Sequence, residues 1–279
     1  MNYKLIADSS ANLFTLPGVD MISVPMKIIT SEKEYVDDAR LDVAAMVADL
    51  KTVKGKTGTS CPNMQDWLDA FKGADRIFAV TITSNLSGSC ASCTQAARDY
   101  EEEHPGARVK VIDSLSAGPE LALLLQKLHG WICEGRDFDR ICADIDAYMT
   151  HTHLSFSLES LTNLARNGRV NPAVAKIAGV LGIRLIGVAS AVGTLEPLHK
   201  VRGEKKALLT LYQDMLDRGY AGGMVRISHC YNLPAAEALT TLIRADWPKA
   251  QIAIEKTTAL CSFYAEHGGL LVGYEDKDA

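Results

Sequence analysis

Short apolar runs rich in β-branched residues recur along the chain, and each stops at small polar residues. YKLIAD ends at Asp8-Ser9-Ser10, RIFAVTIT at Ser84-Asn85-Leu86-Ser87-Gly88-Ser89, and ARVKVID at Asp113-Ser114. Apolar runs of this length bounded by turn residues predict strands. Between them the apolar positions fall at helical spacing, in LDVAAMVADLK, in CASCTQAARDYEEE to about Glu103, and in PELALLLQKLHGWICEG. MISVPMKII and YVDD read as further strand pieces. GKTGTSCPN reads as a loop, with Pro62 near the start of the next helix, where proline's missing N–H costs least. Strand, loop and helix in alternation predict an α/β unit with a mostly parallel sheet, in which ligands bind beyond the carboxyl ends of the strands.

From about residue 137 the texture changes. The stretch 172–181 is dominated by Ala, Gly, Val and Ile, so it is apolar on nearly every face and expected to be buried. Small side chains let neighbours pack closely or leave room for a slender apolar guest. LLTLYQDMLDRG, MVRISHC, LPAAEALTTLIRADW, AQIAIEKT and ALCSFYAEHGGLLVGY then alternate helix and strand again. The expected organisation is two α/β domains, an N-terminal one over 1–160 carrying the hydroxyl-rich turns and a C-terminal one over 161–279 contributing an apolar pocket.

The 279 residues, 47% of them hydrophobic, suffice for two cores. A net charge of −5 gives no general attraction for nucleic acid. No segment approaches the ~18 apolar residues of a membrane span, and MNYKLIADSSANL has too short an apolar run for a secretory signal. The expected location is the cytoplasm. Seven scattered cysteines do not form a disulfide framework. Cys90-Ala-Ser-Cys93 stands at a helix start, where thiolate pKa values fall, so a redox pair competes there with the simpler reading of reduced helix residues. His151-Thr-His153 has no acidic or thiol partner nearby in sequence and reads as a surface or strand-end pair; no metal site is expected.

Four hydroxyl-rich turns, Asp8-Ser9-Ser10, Thr59-Ser60-Cys61-Pro62, Ser84 to Ser89, and Asp113-Ser114, carry the candidate chemistry. Each alone is explained as a helix N-cap. Several on one sheet can converge into a rim of hydroxyls and backbone amides suited to a carboxylate or phosphate. Phosphate-loop and Rossmann fingerprints are absent. Ser87, His267 and Asp8 are nominally available for a catalytic triad, but no G-x-S-x-G elbow is present and a binding role is preferred. The glycines after His267 let a ligand approach its ring. Arg166, Arg169, His199, Lys200, Arg202, Lys205 and Lys206 form either a solvated face or a positive patch for phosphate or an acidic partner.

Taken together these motifs resemble the DegV family of bacterial fatty-acid-binding proteins, several of which serve as acyl carriers for a fatty acid kinase. The resemblance runs over almost the whole length: IADSSANL, VPMKIITSEKEYVDD, TSCPN, TSNLSGS, IDSLSAGPELALL, LTNLARNGRV, HKVRGEKKA, ISHCYNLPAAEAL and AEHGGLLVG follow the family's motifs in order and spacing. Cys61, Asn63, Cys90 and Asn167 depart from the usual residues, and the last motif lacks its proline. The resemblance implies two α/β domains with a lipid tunnel at their junction. It implies a non-enzymatic carrier whose ligand is a long-chain fatty acid and which needs no cofactor. By matching position, Thr59, Ser87, Gly88, Ser89 and His267 would bind the lipid carboxylate. Arg169 and Arg202 would meet phosphate or the kinase, and transient contact with a membrane surface is compatible with such a carrier. The alternative is a serine-dependent acyl hydrolase on the same fold. Burying a sixteen-carbon chain offers on the order of 11 kcal/mol gross at ~0.8 kcal/mol per methylene, before ordering costs. The carboxylate's desolvation has to be offset by donors such as those named.

Overall fold

The structure is a computed structural model that describes residues 2–171 and 182–279; the apolar stretch 172–181 lies outside the described residues. In the first half, β1 (Tyr3–Asp8) and β2 (Asp20–Val24) run parallel. β3 (Lys27–Ile29), β4 (Glu34–Val36) and β5 (Gly58–Ser60) make a small antiparallel sheet of their own. β6 (Arg76–Thr81) and β7 (Arg108–Asp113) return to the first sheet, whose order is β2-β1-β6-β7 with every pair parallel. The intervening helices are α1 (Val43–Leu50), α2 (Met64–Phe71), α3 (Ser89–Glu103), α4 (Pro119–Cys133) and α5 (Phe138–Tyr148).

A parallel sheet covered on both faces explains why its strands read as nearly continuous apolar runs. Leu5, Phe78 and Val80 pack on Leu121, Leu124 and Leu128 of α4 and on Phe138 and Ile141 of α5. Ile6, Ile77 and Ala79 point the other way, into Trp67 and Phe71 of α2 and Ala96 and Tyr100 of α3. The sequence reading of Thr59 and Ser60 as loop residues is corrected. Thr59 sits opposite Ile28 in β5, and a three-residue strand is too short to show an alternation.

The second half holds β8 (Thr152–Leu158), α6 (Thr162–Arg166), β9 (Ile183–Ala189), β10 (Leu195–Arg202) and α7 (Glu204–Asp217). β11 (Val225–His229), α8 (Leu233–Asp246), β12 (Ile252–Lys256), α9 (Ala259–Ala265) and β13 (Leu270–Glu275) follow. Its sheet has the order β10-β9-β8-β13-β11-β12, and β11 with β12 is its one parallel pair among the described residues. β8, between β9 and β13, starts just ahead of the 160/161 boundary expected from sequence. Helices α7 and α8 cover one face through Leu211, Met215, Leu239 and Ile243. The other face turns towards the first half. A Cβ on Gly273 would come within 2.7 Å of the Glu120 backbone N, so only glycine lets β13 lie this close to the start of α4.

Polar staples fix the two halves together. Asp37, 1% exposed, accepts hydrogen bonds from Ala259 N at 2.8 Å, Leu260 N at 3.0 Å and Ser9 Oγ at 2.9 Å, so a side chain from the first half caps α9. Thr258 N donates to Asn12 Oδ1 at 2.9 Å beside it. Among the described residues no helix is long and apolar enough to cross a membrane.

Candidate functional site

A cavity of about 240 Å³ opens where the two halves meet. The period-two alternation of β8 aims Leu154, Phe156 and Leu158 into it, and Leu271 of β13 and Leu260 of α9 add to the apolar wall. Met26, Ile82 and Leu86 close it from the first half.

Its polar atoms come from three segments in mutual contact. Thr59 on β5 places its Oγ1 2.7 Å from the Tyr264 hydroxyl of α9, and one proton in that pair remains for another acceptor. The turn before α3 is shaped by Thr83, whose carbonyl accepts from Leu86 N at 3.1 Å and Ser87 N at 3.3 Å. Gly88 N-caps α3 without any side-chain cap, which leaves the helix start open to an outside acceptor. Ser89 N donates to Ser87 Oγ at 3.2 Å, so the Ser87 hydroxyl proton is available to the cavity. Arg169 donates from Nε to the Leu86 carbonyl at 3.2 Å and from its guanidinium to the Asn167 carbonyl, which brings a fixed positive charge to the same turn. Gly88 approaches Cys61 so closely that a Cβ there would lie 3.3 Å from the sulfur.

Behind this rim stands Asp8 at the end of β1, fully buried. It accepts from Ile82 N at 2.9 Å and Ser89 Oγ at 2.6 Å, and from the Ser10 backbone and hydroxyl. Burial pushes its carboxyl up from the usual range, and these hydrogen bonds pull it back. The network ties β1, the end of β6 and α3 into one frame for the Ser87 turn. The arrangement as a whole suits an amphipathic guest with an anionic end against the hydroxyls, Arg169 and the start of α3, and an apolar body against β8 and β13.

The structure thus brings Thr59, Ser87, Gly88 and Arg169 to one cavity. Ser89 stands behind them with its hydroxyl bonded to Asp8 and its amide to Ser87. His267 is exposed, outside the cavity lining, and stacks on Tyr231 with ring centroids 6.2 Å apart. Arg202 is exposed at the end of β10 and also lies outside the lining. No hydrogen bond links Ser87, His267 and Asp8, so the triad arrangement is not assembled. Tyr264 is the residue that sequence reasoning missed; inside ALCSFYAEH an aromatic ring reads as core, and only its pairing with Thr59 marks the hydroxyl. Of the two readings of Cys90 and Cys93, the structure favours reduced helix residues over a redox pair. Both are free thiols, and burial pushes both up, outweighing the helix start.

Comparison with known proteins agrees with this architecture. A family model described as an uncharacterised protein of the DegV family matches residues 2–277. A DegV domain-containing protein of Streptococcus pneumoniae is 42% identical over 279 residues, covering 99% of each chain. The crystal structure of a DegV family protein from Eubacterium eligens loaded with heptadecanoic acid superposes with a TM-score of 0.97 at 44% identity, covering 99% of this chain and 100% of that one. The Streptococcus pneumoniae Fatty Acid Kinase B3 protein loaded with linoleic acid gives a TM-score of 0.98 at 42% identity, with the same coverage.

Proposed function

The chain belongs to the DegV family, and from that premise we propose that it is a carrier that buries a long-chain fatty acid and presents its carboxylate to a partner fatty acid kinase for acyl-phosphate formation. The observation that carries the reading is the division of one cavity into an apolar wall, built by Leu154, Phe156, Leu158 and Leu271, and a rim of Thr59, Ser87, Gly88, Tyr264 and Arg169. An acyl chain gains by leaving water along the wall. Its carboxylate is kept charged at little cost only where donors meet it, and the Ser87 and Thr59/Tyr264 hydroxyls, the amides that open α3 and the Arg169 charge supply them. Two relatives of the same shape hold heptadecanoic and linoleic acid, which supports the ligand class. The kinase partner is supported by the second relative's designation as a fatty acid kinase B3 protein. In this proposal Arg202, exposed and away from the cavity, belongs to the kinase surface. The hydrolase reading loses ground because Asp8 and His267 are engaged elsewhere.

The test is denaturing extraction of the protein purified from a bacterial host, followed by mass spectrometry. Fatty acid at near one-to-one stoichiometry is expected; no fatty acid, and no uptake of added palmitate or oleate, would remove the proposal.

A further inference from the structure

His151 and His153 flank Thr152 at the start of β8, and their neighbours in sequence offer no further ligand. The fold supplies it. Thr152 pairs with Glu275 across the β8–β13 ladder, so the chain leaving β13 runs directly past both histidines. Asp276 N donates to the His151 carbonyl at 2.9 Å, which fixes this juxtaposition through the backbone. His151 Nδ1 lies 3.2 Å from Asp276 Oδ1, and His153 Nε2 lies 3.1 Å from Asp276 Oδ2. One ligand atom each from His151, Asp276 and Asp278 falls within 4.8 Å of the others.

We propose that His151, Asp276 and Asp278 bind a divalent first-row transition cation, zinc foremost, with His153 holding Asp276 in place from the far oxygen of its carboxylate. Two ligands at ~2.0–2.1 Å from a tetrahedral zinc stand ~3.3 Å apart, so His151 and Asp276 already have the required spacing. Asp278 has to close in slightly; its side chain is exposed, and its backbone N already donates to Asp276 Oδ1 at 2.8 Å, which holds the two residues together. An imidazole with two carboxylates suits zinc better than magnesium or calcium, which take oxygen alone. The fourth position is left to water. His153 takes the place of the outer partner that orients a ligating carboxylate. The site stands apart from the fatty-acid cavity and does not rest on the reading of that cavity.

The competing explanation is a pair of histidine–carboxylate hydrogen bonds that need no ion. Two other places on the molecule serve as controls. His199 Nε2 sits 3.0 Å from Asp214 and belongs to no ligand cluster among the described residues, and Cys133 Sγ sits 3.3 Å from His129. Chelator-treated full-length protein is titrated with zinc chloride by calorimetry, and with cobalt chloride by visible absorption. The proposal expects one saturable equivalent and a tetrahedral cobalt band. It expects zinc binding to be lost in His151→Ala and Asp276→Asn, about ten- to a hundredfold weaker in His153→Ala, and unchanged in His199→Ala and Cys133→Ser. Circular dichroism checks that each variant is folded, and Asp278→Asn, an exposed change, repeats the test should another variant unfold. Absence of saturable binding, binding that survives His151→Ala, or loss on Cys133→Ser would each overturn the assignment.

Discussion

Ser87 and Tyr264 each hold a hydroxyl whose proton can be given to an acceptor in the cavity, since Ser87 Oγ already accepts from Ser89 N and Tyr264 shares one proton with Thr59. In the proposed complex, removing either hydroxyl would leave a carboxylate oxygen short of a donor. Ser87→Ala and Tyr264→Phe are therefore each expected to weaken fatty-acid binding by about 1–3 kcal/mol, roughly five- to 150-fold in Kd. Arg202→Ala and His267→Ala are expected to leave it nearly unchanged, because neither side chain lines the cavity. Arg202→Ala should instead slow a kinase-coupled acyl-phosphate assay. Calorimetric titration of the four variants with palmitate reads the first half; loss in Arg202→Ala with retention in both hydroxyl variants would place the carboxylate elsewhere. At this scale the sequence pointed to Thr59 and Ser87 through several hydroxyl-rich turns that recur after strands and through the motifs they share with the family, since any one such turn alone is explained as a helix N-cap. It did not mark Tyr264, whose contact with Thr59 joins residues 205 positions apart, and it marked His267, which the structure places outside the cavity lining, beside glycines that serve the turn into β13. Gly268 has a φ of +86°, and a Cβ on Gly269 would come within 2.4 Å of the Ala265 carbonyl.

At the scale of elements, long apolar strands and amphipathic helices were legible because periodicity is local, whereas β5 and the order of the second sheet were not, because they are set by pairing across the chain. One such contact carries a pH effect. Glu120, in the first turn of α4, is buried beneath β8, where it accepts hydrogen bonds from Thr152 Oγ1 at 2.8 Å and from the Ser116 hydroxyl. Burial pushes its carboxyl up to about 7, with the two hydroxyls acting in the opposite direction. A folded-state value above the unfolded one means that the native protein holds the proton more tightly. The stability this group contributes is complete below about pH 4.5 and is lost as pH rises towards 7. Glu120→Gln removes that slope. The variant is expected to match the parent near pH 4.5 and to exceed it by up to about 3 kcal/mol at pH 8, from ~1.4 kcal/mol per unit of pKa difference. Denaturant unfolding at the two pH values measures it, and a difference that does not change with pH would count against a buried, proton-holding Glu120. Asp8 and Asp37 are also pushed up by burial, but they are present in both proteins and cancel in the comparison.

The sequence reads as two α/β domains, whereas the contacts between the halves lead us to expect that they unfold together. Two features motivate that expectation. β8 lies between β9 and β13, so a cut at 160/161 takes a central strand out of the six-stranded sheet and exposes the ladder edges of both neighbours. Moving the cut ahead of Thr152 restores that strand but still strips α9 of its cap, since Asp37 and Asn12 hold Thr258, Ala259 and Leu260 from the other half. The aspartate would then keep the Ser9 hydroxyl but lose its donors from the start of α9, next to the newly exposed Ile28, Tyr35 and Met46, which pack on Ala259 and Phe263. Fragments 1–160 and 161–279 expressed separately are expected to lack a cooperative thermal transition. Fragments 1–151 and 152–279 should recover one only when mixed, and adding a long-chain fatty acid should raise its midpoint, because a ligand that touches both halves stabilises only their complex. Circular dichroism melts of the single and mixed fragments decide the matter. A sharp transition in 1–160 alone would show that the first sheet is a self-sufficient domain and that the staples at Asp37 and Asn12 position α9 without holding the fold.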